Sequence, residues 1–121
     1  MIELGKGNVV VDKSFELALS IIDFCDALEK KGKVIIAKQL LRSGTAVGAL
    51  IAESQQSESK ADFIHKMKIA LKEANETFYW LTLCEKSNHL FCDIKTKLLC
   101  EEVIKILSKI VVSSRVKTKI T

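Results

Sequence analysis

Apolar and polar positions follow a helical period along most of this 121-residue chain. Phe15, Ala18, Ile22 and Cys25 form one row, with Leu17, Ile21, Phe24 and Leu28 beside it. This stripe predicts a first helix with a wide buried face. Asp12 or Ser14 can cap its start, and Lys30-Lys31-Gly32-Lys33 ends it with cations and a left-handed glycine. Residues 1 to about 12, including Val9-Val10-Val11, read as a short extended arm. A second helix is predicted from about Val34 to Ser54, apolar or small on most of its surface and so buried on more than one side. After the polar break Ser54–Glu58, Ser59-Lys60-Ala61-Asp62 resembles a capping box with aspartate in place of the usual glutamate or glutamine. In the third helix Phe63, Met67, Ala70, Ala74, Thr77, Leu81 and Cys84 recur in steps of four and three, a sustained heptad seam. Ile64, Leu71 and Phe78 add a flanking row. Lys86-Ser87-Asn88-His89 makes a turn, and Asp93 can cap a fourth helix. The expected core side of that helix is Leu99, Val103, Ile106 and Ile110, with Ile94, Leu98 and Leu107 beside it. The tail Ser113 to Thr121 carries Arg115, Lys117 and Lys119 with no acid and is expected to fray.

Short links between four helices predict an all-α fold, an antiparallel up-down-up-down four-helix bundle in one domain spanning 1–121. Counting outward from the turn near Ser57 places Arg42 opposite Glu73 and Glu76, a candidate internal ion tie, and Trp80 near Ile36. Gly44, Gly48 and Ala52 recur every four residues and line one side of the second helix. Each interior glycine costs a helix about 1 kcal/mol relative to alanine, so tertiary packing must offset the loss. With Ala46 and Leu50, this strip is a candidate helix-packing surface, either within the chain or between copies. The second apolar face of helices two and three favours copies.

Composition narrows the function classes. Proline is absent and aromatics are few, which supports helices over a sandwich or barrel. No apolar run is expected to reach the roughly 20 residues of a membrane span, and the first residues lack the layout of a signal peptide. A cytoplasmic location is the default expectation. The net charge of +4 permits an acidic partner without demanding one. Lys38, Lys68, Lys72, Lys105 and Lys109 are the candidate phosphate contacts, with His65 nearby. The competing reading is a solvated surface with carboxylates interspersed. If several copies set the same lysines side by side, a modest charge becomes a strong field aimed at phosphates rather than base edges. No aromatic interleaving suits base stacking.

Cys25, Cys84, Cys92 and Cys100 read as reduced thiols. They gather with His89 towards one end of the expected bundle, but no Cys-x-x-Cys pair is present and three occupy core-compatible positions, so no metal is assigned. Glu53, Glu73 and Glu76 are the only carboxylates near the expected interior, and no histidine stands by them. No Gly-rich phosphate loop, Ser-His-Asp set or Glu-x-x-His pair occurs. The chain is therefore expected to have no enzyme activity, cofactor or small-molecule substrate.

Several blocks together resemble the bacterial four-helix-bundle family also called 23S rRNA-intervening-sequence proteins. They are Lys13–Ala18, Lys38-Gln39-Leu40-Leu41-Arg42-Ser43-Gly44-Thr45, Ser59–Lys66, Ile69–Thr77 leading into Tyr79-Trp80-Leu81, Cys100-Glu101-Glu102 and Ile106–Ile110. The chain departs from that pattern at Ala46, usually serine, and at Leu50, usually asparagine. The resemblance implies a four-helix bundle that assembles as a ring-like homo-oligomer, typically a pentamer, without enzyme activity. A related accessory protein of diversity-generating retroelements shares the bundle and contacts nucleic acid and a reverse transcriptase, which favours an RNA or nucleoprotein partner by analogy. Two functional classes stay open: a self-associating scaffold that docks RNA through repeated lysines, and a structural adaptor that recruits another protein and binds no nucleic acid.

Overall fold

The structure, a computed structural model, describes the backbone of residues 8–120 and the side chains of residues 8–114. Four helices account for it, with no strand among the described residues: α1 (Val9–Lys30), α2 (Val34–Ser54), α3 (Lys60–Lys86) and α4 (Ile94–Ile120).

Local chemistry sets the ends of these helices. Asn8 caps α1, its side chain accepting the Val11 N–H at 3.4 Å. The helix thus starts at Val9, and the expected arm is corrected from that residue onward. Val10 and Val11 lie in the core, so burial overrides the preference of a valine triplet for extended backbone. The remainder of the expected arm lies outside the described residues. Between α1 and α2, Gly32 takes φ +80° and donates its N–H to the Glu29 carbonyl, a conformation that glycine adopts without steric penalty. Ser59 caps α3 by accepting the Asp62 N–H at 3.0 Å, while Asp62 accepts the N–H of Glu58, one residue earlier than in a standard capping box. Asp93 accepts the Thr96 N–H at 3.3 Å at the start of α4. That helix continues to Ile120. The side chains of Arg115, Lys117 and Lys119 lie outside the described residues.

The helices form a closed circuit. Helix α1 packs against α2 and α4, α3 packs against the same two, and no close backbone approach joins the diagonal pairs among the described residues. Pairings run in opposite numerical senses along each contact. Ile21 meets Gly44, Ser14 meets Gly48 and Asn8 donates to Gln55 at 2.9 Å, so numbers rise on α1 as they fall on α2. Arg42 with Glu73 and Glu53 with Lys66 show the same reversal between α2 and α3. Ser20 with Thr96 and Lys13 with Glu102 show it between α1 and α4.

Leu17, Ile21, Leu28, Leu40, Ile51, Met67, Leu81 and Leu107 are the largest fully enclosed apolar side chains of the core, which Phe24 joins. The heptad seam of α3 is buried from Met67 to Cys84, with Phe63 half-buried. Two other stripes are turned from their expected positions. On α1, Phe15 and Ile22 face solvent, while Leu17, Ile21, Phe24 and Leu28 fill the core. With only two neighbours, this helix cannot cover so wide an apolar arc. On α4 the buried positions are Thr96, Cys100, Val103, Leu107 and Val111, whereas Leu99, Ile106 and Ile110 are only partly buried. A 2.5 Å hydroxyl contact between Thr96 and Ser20 of α1 fixes that rotation. Helix α2 also departs from expectation, being long and apolar enough by length and composition to cross a membrane. Within this fold its Ala37, Leu40, Val47 and Ile51 are fully buried, which accounts for its apolar composition.

Candidate functional site

The glycine strip of α2 faces α1 of the same chain. A methyl group at Gly44 would fall 2.7 and 2.8 Å from Cγ1 and Cγ2 of Ile21, and one at Gly48 would fall 3.3 Å from the Ser14 carbonyl oxygen. The two glycines thus let α1 approach α2 closely, Gly44 more tightly than Gly48. Beyond them Ala52, Thr45 and Ala49 line a shallow groove of about 220 Å3 with Phe15 and Ala18 of α1. Leu50 packs on the edge of the core, and Ala46 is half-buried.

Arg42 is placed by the α2–α3 register. Its Nη1 lies 2.9 Å from Glu73 Oε2, and its Nη2 hydrogen-bonds to Glu76. Trp80 completes the group by donating its indole N–H to Glu76 Oε2 at 3.1 Å. That bond first, and the guanidinium second, hold the Glu76 carboxyl below its ordinary value. The Arg42 side chain is half-exposed, so the tie lies at the surface rather than inside. The deeper polar link between these helices was not read from sequence: Thr77 Oγ1 is hydrogen-bonded to the buried Ser43 hydroxyl at 2.9 Å.

All five candidate phosphate-contacting lysines are exposed. Lys38, Lys68, Lys72, Lys105 and Lys109 form no ion pair among the described residues. Lys68 and Lys72 share the outer stripe of α3 with His65, Asn75 and Tyr79, all exposed and spaced three or four residues apart. Lys105 and Lys109 lie one turn apart on α4. Lys38 stands away from Lys68, because the register that joins Arg42 to Glu73 and Glu53 to Lys66 sends it towards the other end of α3.

An open groove between α1 and α4 was also missed in the sequence. It measures about 750 Å3, and its walls include Leu19, Ile94 and Leu98, which are 51%, 53% and 59% exposed. Charged Lys13, Glu16, Asp23, Lys95 and Glu102 rim it. Periodicity sets Ile94 and Leu98 beside the core, since helical period alone cannot tell an inward apolar row from an outward one.

A family model for the 23S rRNA-intervening sequence protein matches residues 6–109. The chain belongs to the 23S rRNA-intervening sequence protein family. It is similar to a protein of unknown function from the S23 ribosomal protein family of Bacteroides thetaiotaomicron, whose crystal structure was determined at 1.70 Å resolution. The two chains are 40% identical with a TM-score of 0.79, over 84% of this chain and 97% of that one. No curated protein matches.

In this member of the 23S rRNA-intervening sequence protein family, all four cysteines are free. Cys25 donates to the Ala37 carbonyl at 3.2 Å and Cys100 to the Ala74 carbonyl at 3.5 Å. Burial pushes Cys25 and Cys84 up to about 11 and Cys100 up to about 12. Those environments favour protonated thiols over ligating thiolates. Among the described residues, no group of three or more His, Cys, Asp or Glu side chains converges to hold a metal ion. The carboxylates considered for catalysis are engaged elsewhere. Glu73 and Glu76 hold Arg42, and Glu53 lies 3.9 Å from Lys66.

Proposed function

We propose that this chain is a non-enzymatic scaffold of the cytoplasm: an antiparallel up-down-up-down bundle that assembles with copies of itself into a ring and docks RNA through repeated lysines. The observation that carries the reading is the outward apolar surface along α1 and α4. Leu19, Ile94 and Leu98 stay largely open around one continuous groove, and a large exposed apolar patch with a polar rim marks an interaction surface. The reversed pairings along each helix contact support the antiparallel arrangement. The resemblance adds the ring and makes a pentamer the expected number.

The RNA part rests on Lys38, Lys68, Lys72, Lys105 and Lys109, exposed and without ion-pair partners among the described residues. Repeated around a ring, they form a field that phosphates recognise without base reading. The resemblance to the retroelement accessory protein, read from the sequence, supports the same reading.

A second reading, an adaptor that recruits another protein and binds no nucleic acid, has one observation in its favour. Ile35 is 82% exposed beside Val34 at the start of α2.

Two measurements test these readings. Solution mass over a dilution series is expected to show a discrete multi-chain species, and a strictly monomeric sample overturns the scaffold. Retention on an immobilised single-stranded RNA is expected at low salt and to weaken steeply as salt is added. No retention at low salt overturns RNA docking and leaves the adaptor.

A further inference from the structure

We infer that the contact between copies is heterologous: the outer stripe of α3 on one copy, led by Tyr79 and Leu83, seats in the α1–α4 groove of the next. The inference rests on the self-association proposed above and names the two faces involved.

The groove needs an occupant that brings apolar knobs. Leu19, Ile94 and Leu98 give it apolar walls; at its rim Lys13 pairs with Glu16 and Glu102, while Asp23 on α1 and Lys95 on α4 stand at its edges. The outer surface of α1 carries four exposed acids, Glu16, Asp23, Asp26 and Glu29. Of its two lysines, Lys13 is paired with Glu16 and Glu102, and Lys30 with Asp26. A polyanion is repelled from such a face.

The complementary surface is on the same chain. Tyr79 is 57% exposed and Leu83 is exposed one turn later. Lys72 and Lys86 bracket them on the same stripe, and no acid of α3 is exposed. By the register of Ser20 with Thr96 and Lys97 with Glu85 and Phe78, Lys86 stands near the level of Asp23 and Asp26, whereas Lys72 falls beyond Glu16 towards the level of Lys13. Opposite charges across such a contact fix its register and exclude wrong partners.

The heights also agree. Lys97 of α4 lies over the Phe78 ring and bonds to Glu85 at 2.5 Å, which sets Tyr79 and Leu83 level with Leu98 and Ile94. Ser20 bonded to Thr96 sets Leu19 at that level too. Copies related by an axis parallel to the helices therefore bring knobs and groove together without a shift along the bundle. Helix α3 stands diagonally across the circuit from α1, so the stripe and the groove are two different surfaces. Unlike surfaces on different sides are what a closed ring requires, whereas a two-fold dimer uses one surface twice. This arrangement assigns Lys86 to the contact between copies and leaves Lys38, Lys68, Lys72, Lys105 and Lys109 for phosphates.

Mixing two variants tests the proposal. Leu98→Glu spoils the groove and Tyr79→Glu spoils the stripe, both at exposed positions where the helical signal is expected to stay unchanged. Each variant alone is expected to have the solution mass of a single chain. An equimolar mixture is expected to give a two-chain species and nothing larger, because each variant keeps one intact face. Should Leu98→Glu lose its helical signal, Leu19→Gln replaces it as the groove variant. Unchanged mass for either variant, or a mixture that stays monomeric, overturns the inference while the self-association of the parent chain stands. A monomeric parent chain overturns both.

Discussion

Gly44 and Gly48 differ in what a methyl group would strike. At Gly44 the new atom meets the branch point of Ile21, whose Cγ1 and Cγ2 lie 2.7 and 2.8 Å away and cannot swing clear together. At Gly48 it meets one carbonyl oxygen at 3.3 Å, a tight contact relieved by a shift of a few tenths of an ångström. Alanine gains about 1 kcal/mol of helix propensity at either site, while overpacking a core costs roughly 1–3 kcal/mol. Gly44→Ala is therefore expected to lower the thermal unfolding temperature, and Gly48→Ala to leave it nearly unchanged. Paired melts followed by the helical circular dichroism signal check the ranking. Individual residues were legible where a turn supplied a ruler. Counting from Ser57 brought Arg42 to Glu73 and Glu76, but the same count gave no sign that Trp80 would donate to Glu76. The Ser43–Thr77 bond stayed hidden because both hydroxyls occupy seam positions that apolar side chains usually fill.

The caps of α3 and α4 were readable because Ser59 and Asp93 stand at the polar edge of a periodic segment. Asp93 accepts the Thr96 N–H, and replacing such a cap by alanine typically costs about 1 kcal/mol. Asp93→Ala is expected to lower stability by that order in a denaturant titration, with little effect at Lys95, whose side chain is exposed. Helix α1 was placed less well at its start. Asn8 outdid Asp12 and Ser14 as the cap because burial of Val10 and Val11 rewards an earlier helical turn. Helix α4 was rotated for a related reason. Apolar residues occupy both candidate rows, and the choice fell to Thr96 and Cys100, which a hydrophobicity pattern undervalues. Helix α3 gave no such trouble, since its alternating steps of four and three admit a single seam.

At the scale of the molecule, charge pairs join the circuit. Glu76 is held below its ordinary 4.5 by Trp80 and Arg42, and Glu85 below the same value by Lys97. Depressed carboxyls give stability that is complete above the unfolded value and is lost as pH falls through the lower folded one. The unfolding temperature is expected to hold steady down to about 4.5 and to drop below it, with a shallower drop for Glu76→Gln combined with Glu85→Gln. Equal acid sensitivity in that variant would remove these pairs from the account. The four-helix content was evident from periodicity, but the groove between α1 and α4 was not. Leu19, Ile94 and Leu98 obey the same period as their buried neighbours, and nothing in a one-dimensional pattern says how many neighbours a helix will have.

The sulfur atoms carry a practical consequence. Cys25 and Cys100 hold their protons against main-chain carbonyls of adjacent helices, and Cys84 is equally enclosed. Oxidants and alkylating agents attack thiolates, so these three stay silent while the molecule is closed. Each becomes a clock for breathing, reacting only as fast as the helices around it part.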